Sequence, residues 1–143
     1  MSTLRVLTVA GTRPELIRLS RLIPLLDKVS VHHFAYTGQN FDINLRDVFF
    51  RDLGLRKPDS EFNVNTESFG STMADTIVKT EALIQQFKPH AVVILGDTNS
   101  AMAAIPAERM GVPVYHLEAG NRSFDANVPE ELNRRLVDHI STF

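Results

Sequence analysis

Ala91-Val92-Val93-Ile94-Leu95-Gly96-Asp97-Thr98-Asn99 is the stretch that decides the fold. It opens with an unbroken apolar run and closes on a turn glycine. A short continuous run of this kind, with turn residues on both sides, reads as a strand covered on both faces, the habit of parallel sheets. A helical segment is expected directly after it, ending near Met110-Gly111.

Working outward, the same alternation of strand and helix recurs. Leu4 to Ala10 reads as a first strand closed by Gly11, and Pro14 suits the first turn of a helix. Leu16, Leu19, Ile23 and Leu26 continue at helical spacing, with a kink expected at Pro24. Val29 to Tyr36 reads as a second strand ending at Gly38. A helix is expected from Asp42 to about Leu53, stopped by Gly54, and a short third strand over Glu61 to Val64. Phe69, Met73, Ile77, Ile84 and Phe87 form a long apolar stripe, interrupted at Thr80 and read as core packing. Val112 to Leu117 is a further strand, and Pro129 opens a last helix running to about His139. Strands alternating with helices define an α/β protein: a Rossmann-like parallel sheet with helices on both faces.

Composition narrows the function. With 143 residues the chain fits one domain, and 43% hydrophobic with 22% charged residues is ordinary for a globular protein. Fifteen Lys and Arg against 17 Asp and Glu give a formal charge of −2, which argues against a nucleic-acid or anionic-membrane binder. There is no cysteine, so disulfides, thiol nucleophiles and cysteine-ligated metals are excluded. The apolar runs are too short to span a bilayer and the N-terminus lacks a secretory layout, so a cytoplasmic location is expected. Another strand is expected to begin near Phe143, and the chain reads as cut there.

In open parallel sheets, ligands bind beyond the carboxyl ends of the strands. Those ends carry Gly11-Thr12-Arg13-Pro14-Glu15, Gly38-Gln39-Asn40, Gly96-Asp97-Thr98 and Glu118-Ala119-Gly120, with Pro129-Glu130-Glu131 able to fold back over the same rim. Arg13 suits a bidentate bond to a phosphate or carboxylate, though the stretch is neither a GxGxxG fingerprint nor a P-loop. Asp97 reads equally as the N-cap of the next helix. Glu118 has no capping role, and an ion pair with an arginine is the competing reading. Glu130 and Glu131 suit a helix N-terminus and stand four residues before Arg134 and Arg135. His116 and His139 lack partners at metal-ligand spacing and read as structural.

Gly11-Thr12-Arg13-Pro14-Glu15, Thr37-Gly38-Gln39, Gly96-Asp97-Thr98, His116-Leu117-Glu118-Ala119-Gly120 and Pro129-Glu130-Glu131-Leu132-Asn133-Arg134 occur in one order along nearly the whole chain. In this the sequence resembles the non-hydrolysing UDP-N-acetylglucosamine 2-epimerases. The resemblance implies the N-terminal half of a GT-B-like two-domain fold, with a C-terminal UDP-binding domain beyond residues 1–143. It implies C2 epimerisation of a UDP-linked 2-acetamido sugar by elimination and re-addition of UDP, without cofactor or metal. It implies a UDP-sugar as the small-molecule partner, no nucleic acid or membrane partner, and a homodimer in the full-length protein. Residue by residue, it assigns catalysis to Asp97, Glu118 and Glu130, and substrate binding to Arg13, Arg18, Gln39 and Arg134.

Some positions depart from the family pattern. The usual lysine of the first motif is Arg18, and the Gln-His pair of the regulatory site in bacterial members is Gln39-Asn40. The segment between Glu118 and Glu130 is short, and with Phe124 and the Val-Asp-His-Ile-Ser ending it is similar to the UDP-N-acetyl-L-fucosamine synthase branch. That branch implies a UDP-2-acetamido-2,6-dideoxy-L-talose substrate, for capsule or O-antigen. UDP-GlcNAc to UDP-ManNAc, a GT-B-type glycosyltransferase domain and a non-catalytic homologue remain the alternatives. The fragment alone is expected to be inactive, because half of the cleft would be missing.

Overall fold

A computed structural model of the chain describes residues 3–38 and 43–143. Five strands, β1 (Arg5–Ala10), β2 (Val31–Tyr36), β3 (Ser60–Glu61), β4 (Ala91–Leu95) and β5 (Val114–Leu117), form one sheet in the order β3-β2-β1-β4-β5. Every neighbouring pair is parallel. The helices are α1 (Arg13–Leu19), α2 (Leu22–Val29), α3 (Ile43–Asp52), α4 (Phe69–Phe87), α5 (Ala104–Arg109), entered through a 3-10 turn at Asn99–Ala103, and α6 (Pro129–Ile140).

Side-chain alternation along the strands divides the core in two. Leu7, Val9, Val92, Ile94 and Val114 pack with α4, α5 and α6 on one face. Ala10, Phe34, Tyr36 and Leu95 pack with α1, α2 and the Phe50 side of α3 on the other. The α/β Rossmann-like reading therefore holds, with helices on both faces. The chain builds outward from β1 through β2 to β3, then restarts at β4 on the other side. Such a reversal opens a crevice at the carboxyl ends of the two central strands.

Several boundaries differ from the sequence reading. The first helical segment breaks at Ser20-Arg21, not at Pro24, which lies in the first turn of α2. Amide hydrogens there have no intrahelical partner, so proline removes nothing. Val29 closes α2 rather than opening β2. The third strand is only Ser60–Glu61, because Asn63 takes a left-handed φ of 47°; Phe62 and Val64 still donate backbone bonds to Tyr36 and Thr37. On α4 the buried face runs through Thr72, Thr76 and Thr80 to Leu83 and Ile84, while Phe69 is half exposed. Thr80 is thus core rather than an interruption. β5 is shorter than expected, beginning at Val114. Thr142 and Phe143 donate to the Val114 carbonyl and Phe143 accepts from the His116 amide, so the last residues lie along β5. Among the described residues no helix is long and apolar enough to cross a membrane.

Candidate functional site

Two turns frame the crevice. After β1, Gly11 leads into α1; a Cβ at Gly11 would lie 1.8 Å from the Thr37 hydroxyl oxygen, so only glycine fits against β2 there. After β4, Gly96 takes a φ of +74°, which turns the chain so that Asp97 stands at the rim. Thr12, Arg18, Gly96, Asp97 and Thr98 line a cleft of about 220 Å³ with Glu15 beneath them.

Asp97 does not cap the following helix, as one sequence reading had it; Thr98 occupies the N-cap position. The Asp97 carboxylate is instead gripped by Arg134, whose Nε and Nη2 both lie 2.6 Å from Oδ2. That bond holds the Arg134 guanidinium above its ordinary pKa. The next residue back, Asn133, is buried and donates to the Asp97 carbonyl at 2.9 Å. One turn of α6 thereby fixes both the backbone and the side chain of Asp97.

Glu118 follows β5 with a left-handed φ of 60°, and its Oε2 accepts from Arg18 Nη1 at 2.7 Å. The arginine pairing and the rim position hold together: Arg18 is the cation that lines the Asp97 cleft. Arg13 lies at the same helix start, its guanidinium 5.4 Å from the centre of the Phe49 ring. Glu130 is exposed in the first turn of α6. It stands four residues before Arg134, the spacing that puts two side chains on one helix face. Arg134 pairs with Glu131 rather than with Glu130. Gln39 and Asp42 lie outside the described residues.

The sequence reading gave no site role to several side chains that shape this rim. Glu131 is buried, and its Oε2 accepts from Ser123 N at 2.7 Å, Ser123 Oγ at 2.9 Å and Arg134 Nη1 at 3.3 Å. The Ser123 backbone bond leads the set that holds its pKa below the usual carboxylate range. This pins the 121–128 loop to α6 and presents Phe124, 91% exposed with φ 59°. His116, read as structural, is buried between the Gly96 carbonyl, to which Nε2 donates at 2.6 Å, and Asp138 Oδ1, 2.8 Å from Nδ1. Burial raises the Asp138 pKa, but donors from Arg122 and Gly120 outweigh it and leave it lowered. Glu15 had a visible signal: Thr12-x-x-Glu15 is the spacing of a capping box. Asn133 stood within the last of the five motifs, and Ser100 had no signal.

Among the described residues no group of three His, Cys, Asp or Glu is placed to hold a metal ion. The rim sets the Asp97 and Glu118 carboxylates beside Arg134 and Arg18, an arrangement suited to moving a proton next to a bound anion.

Comparison with known proteins bears on which chemistry this is. The model of the UDP-N-acetylglucosamine 2-epimerases matches residues 27–143. The chain belongs to that family. It is 39% identical over 137 residues to a UDP-N-acetylglucosamine 2-epimerase of Methanocaldococcus jannaschii, spanning 94% of this chain and 37% of the relative. It is 38% identical to a UDP-2,3-diacetamido-2,3-dideoxy-D-glucuronate 2-epimerase of Pseudomonas aeruginosa, spanning 96% of this chain and 40% of that one. Among solved structures, the UDP-N-acetylglucosamine 2-epimerase of Rickettsia bellii is 46% identical with a TM-score of 0.90, over 98% of this chain and 38% of its own. The M. jannaschii enzyme in complex with UDP-GlcNAc and UDP gives a TM-score of 0.91 at 37% identity, over 98% and 39%. This epimerase-family chain thus spans about two fifths of the length of the relatives it matches.

Proposed function

We propose that residues 1–143 form the N-terminal Rossmann-like domain of a GT-B-like enzyme that inverts C2 of a UDP-linked 2-acetamido sugar. A second domain binds UDP and closes the cleft. The observation that carries this reading is the placement of Asp97 and Glu118 at the ends of adjacent strands, each held through one oxygen by an arginine from a different helix.

The reaction runs in two halves that balance. A carboxylate takes the C2 proton, the C–H electron pair forms a C1=C2 double bond, and the C1–O bond breaks with its pair leaving on UDP. The proton then returns to C2 on the opposite face while a UDP oxygen bonds to C1 again. No oxidant or reductant enters, so the route calls for no redox cofactor. Asp97, Glu118 and Glu130 share proton transfer and stabilisation of positive charge at C1, and close carboxylates of this kind titrate as a set. Arg13 and Arg18 face the departing diphosphate, Arg18 exchanging its Glu118 contact for phosphate oxygens. Arg134 orients Asp97, and Gln39 contributes to substrate binding.

The substrate we infer is UDP-2-acetamido-2,6-dideoxy-L-talose, giving UDP-N-acetyl-L-fucosamine for capsule or O-antigen in the cytoplasm, with the full-length protein a homodimer. The short 121–128 loop supports this choice, because Phe124 presents an apolar ring that favours a methyl over a hydroxymethyl group. UDP-GlcNAc to UDP-ManNAc is the other substrate pair. In heavy water, the complete two-domain polypeptide is expected to leave deuterium at C2 of recovered UDP-sugar. Transfer to an acceptor without C2 exchange would replace this reading with a glycosyltransferase; no reaction with either substrate would leave a non-catalytic homologue. Residues 1–143 alone are expected to show no measurable turnover in the same assay.

A further inference from the structure

The reaction just described leaves unused a carboxylate that lies under the cleft. Glu15 is 2% exposed. Its Oε2 accepts the backbone N–H groups of Gly11 and Thr12 at 3.1 and 2.8 Å, and its Oε1 accepts from Ser100 Oγ at 2.7 Å. Ser100 Oγ in turn lies 2.5 Å from Thr98 Oγ1. Gly11 and Thr12 follow β1, whereas Thr98 and Ser100 follow β4, at the reversal of the sheet.

The strands themselves do not hold this junction together. The β1–β4 ladder ends at the Thr8–Val93 pair, although both strands run two residues further. Beyond that pair no backbone ladder joins the two turns, one leading to α1 with Arg13 and Arg18, the other to Asp97, although they still pack closely where Gly11 meets Ser100. Glu15 adds a side-chain hydrogen bond between them. Burial pushes its pKa up, and the donors from Ser100, Thr12, Gly11 and Thr98 oppose that rise.

We propose that Glu15 is a positioning residue: through Ser100 it sets the gap between the β1 and β4 turns, and so the placement of Asp97 against the Arg13–Arg18 wall. Its role in the reaction rests on the epimerase reading above; the bridge itself does not. The bridge works by hydrogen bonds rather than by charge. A glutamine can reproduce it, its carbonyl oxygen accepting from Gly11 and Thr12 while its amide donates to Ser100, which turns its own proton to Thr98. An aspartate is one methylene too short to reach both turns.

The test uses Glu15→Gln, Glu15→Asp, Glu15→Ala, Ser100→Ala and the Glu15→Ala/Ser100→Ala pair in the complete polypeptide. Glu15→Gln is expected to keep kcat within about threefold. The other single variants are expected to lose on the order of 10- to 100-fold in kcat with KM within about threefold, since misplacement of this kind costs rate. The pair is expected to be no worse than the poorer single variant, because both changes cut one connection. Equal loss in Glu15→Gln and Glu15→Ala, or additive losses in the pair, would overturn the proposal.

Hydrogen exchange read by mass spectrometry supplies a measure independent of turnover. Ser100→Ala should speed exchange in the 11–13 turn, and Glu15→Ala in the 97–100 turn, each away from its own substitution. If that reciprocity appears while the wild type epimerises nothing, the bridge stands and the functional reading falls. Exchange changed only beside each substitution sinks the bridge, whatever the activity.

Discussion

The two ends of the sheet carry similar chemistry in opposite states of completion. Where β2 begins, Arg56 grips Asp27 with Nε and Nη2, each at 3.0 Å, and reaches Asp59 with Nη1 at 2.8 Å. Asp27 also accepts from His32 at 2.6 Å, His32 meets Thr8 at 2.8 Å, and Asp59 accepts the Phe34 amide. Each group there is spent on another. At the carboxyl ends, Asp97 and Glu118 each commit one oxygen to an arginine, and Glu130 has no ion pair among the described residues. A saturated network stabilises a fold, whereas an unsaturated one at a crevice can still exchange protons with a ligand.

That contrast breaks if the two ends respond alike to substitution. The largest effect is expected at the open end. Asp97→Asn and Glu118→Gln, made in the complete polypeptide, should each lower kcat by about 10²–10⁴-fold, the usual worth of positioned acid–base groups. Their thermal midpoints should stay close to the wild type, since both side chains are partly exposed. Steady-state assays paired with calorimetry decide it: retained activity in both variants would remove the catalytic reading of this rim.

At the closed end the signs reverse. Arg56→Ala leaves Asp27 and Asp59 without their shared cation, yet all three side chains are about one third exposed, so screening reduces the cost. About 1–2 kcal/mol of stability should be lost, read from urea denaturation, with kcat of the folded enzyme unchanged. A fall in kcat without a fall in stability would erase the distinction between the ends.

What the sequence disclosed follows the same division. The apolar run at Ala91–Leu95 and the glycines after the strands report backbone geometry, a local property, so the order of strands and helices was legible although several of their ends were not. Asp97, Glu118 and Arg134 were legible as candidates through their order in five motifs. The choice between Glu130 and Glu131 as the Arg134 partner was not, because it turns on where a loop from Ser123 returns to α6. Nor was the role of Thr80: a threonine breaks an apolar pattern in sequence, yet Thr80 is fully buried on the face that α4 turns to the 99–109 helical segment, although its hydroxyl has no hydrogen-bond partner among the described residues. The Glu15–Ser100 contact joins residues 85 positions apart, a separation that no periodicity reports.

A smaller effect sharpens the comparison at the loop over the open end. Phe124 combines full exposure with a left-handed backbone, two features that weigh against it in the isolated fold. Phe124→Gly should therefore raise stability, by about 0.5–1 kcal/mol on release of that strain. If the substrate is the 6-deoxy sugar proposed above, it should also narrow the selection of that sugar over its 6-hydroxy counterpart by about 10-fold, the range of a single apolar contact. Competition between the two UDP-sugars measures the second. An unchanged ratio would take Phe124 out of substrate choice while leaving the stability gain intact.

The smallest effect is the pH dependence of stability, where the two ends again carry opposite signs. Burial lowers the His32 pKa from 6.5 against the pull of Asp27 and Asp59, with Arg56 adding to the lowering, so the unfolded chain binds more protons below that pH. Its contribution is present above pH 6.5 and is lost as pH falls toward the folded value. Burial raises the Glu15 pKa from 4.5, so there the native state holds the extra proton, and its contribution is lost as pH rises above 4.5. Between the ordinary values of 4.5 and 6.5 the two contributions run in opposite directions, each with a slope below about 1.4 kcal/mol per pH unit. Denaturation across that window should show a lower slope in His32→Gln and a higher one in Glu15→Gln than in the wild type. Matching slopes in all three proteins would mean that neither buried group titrates differently in the folded chain.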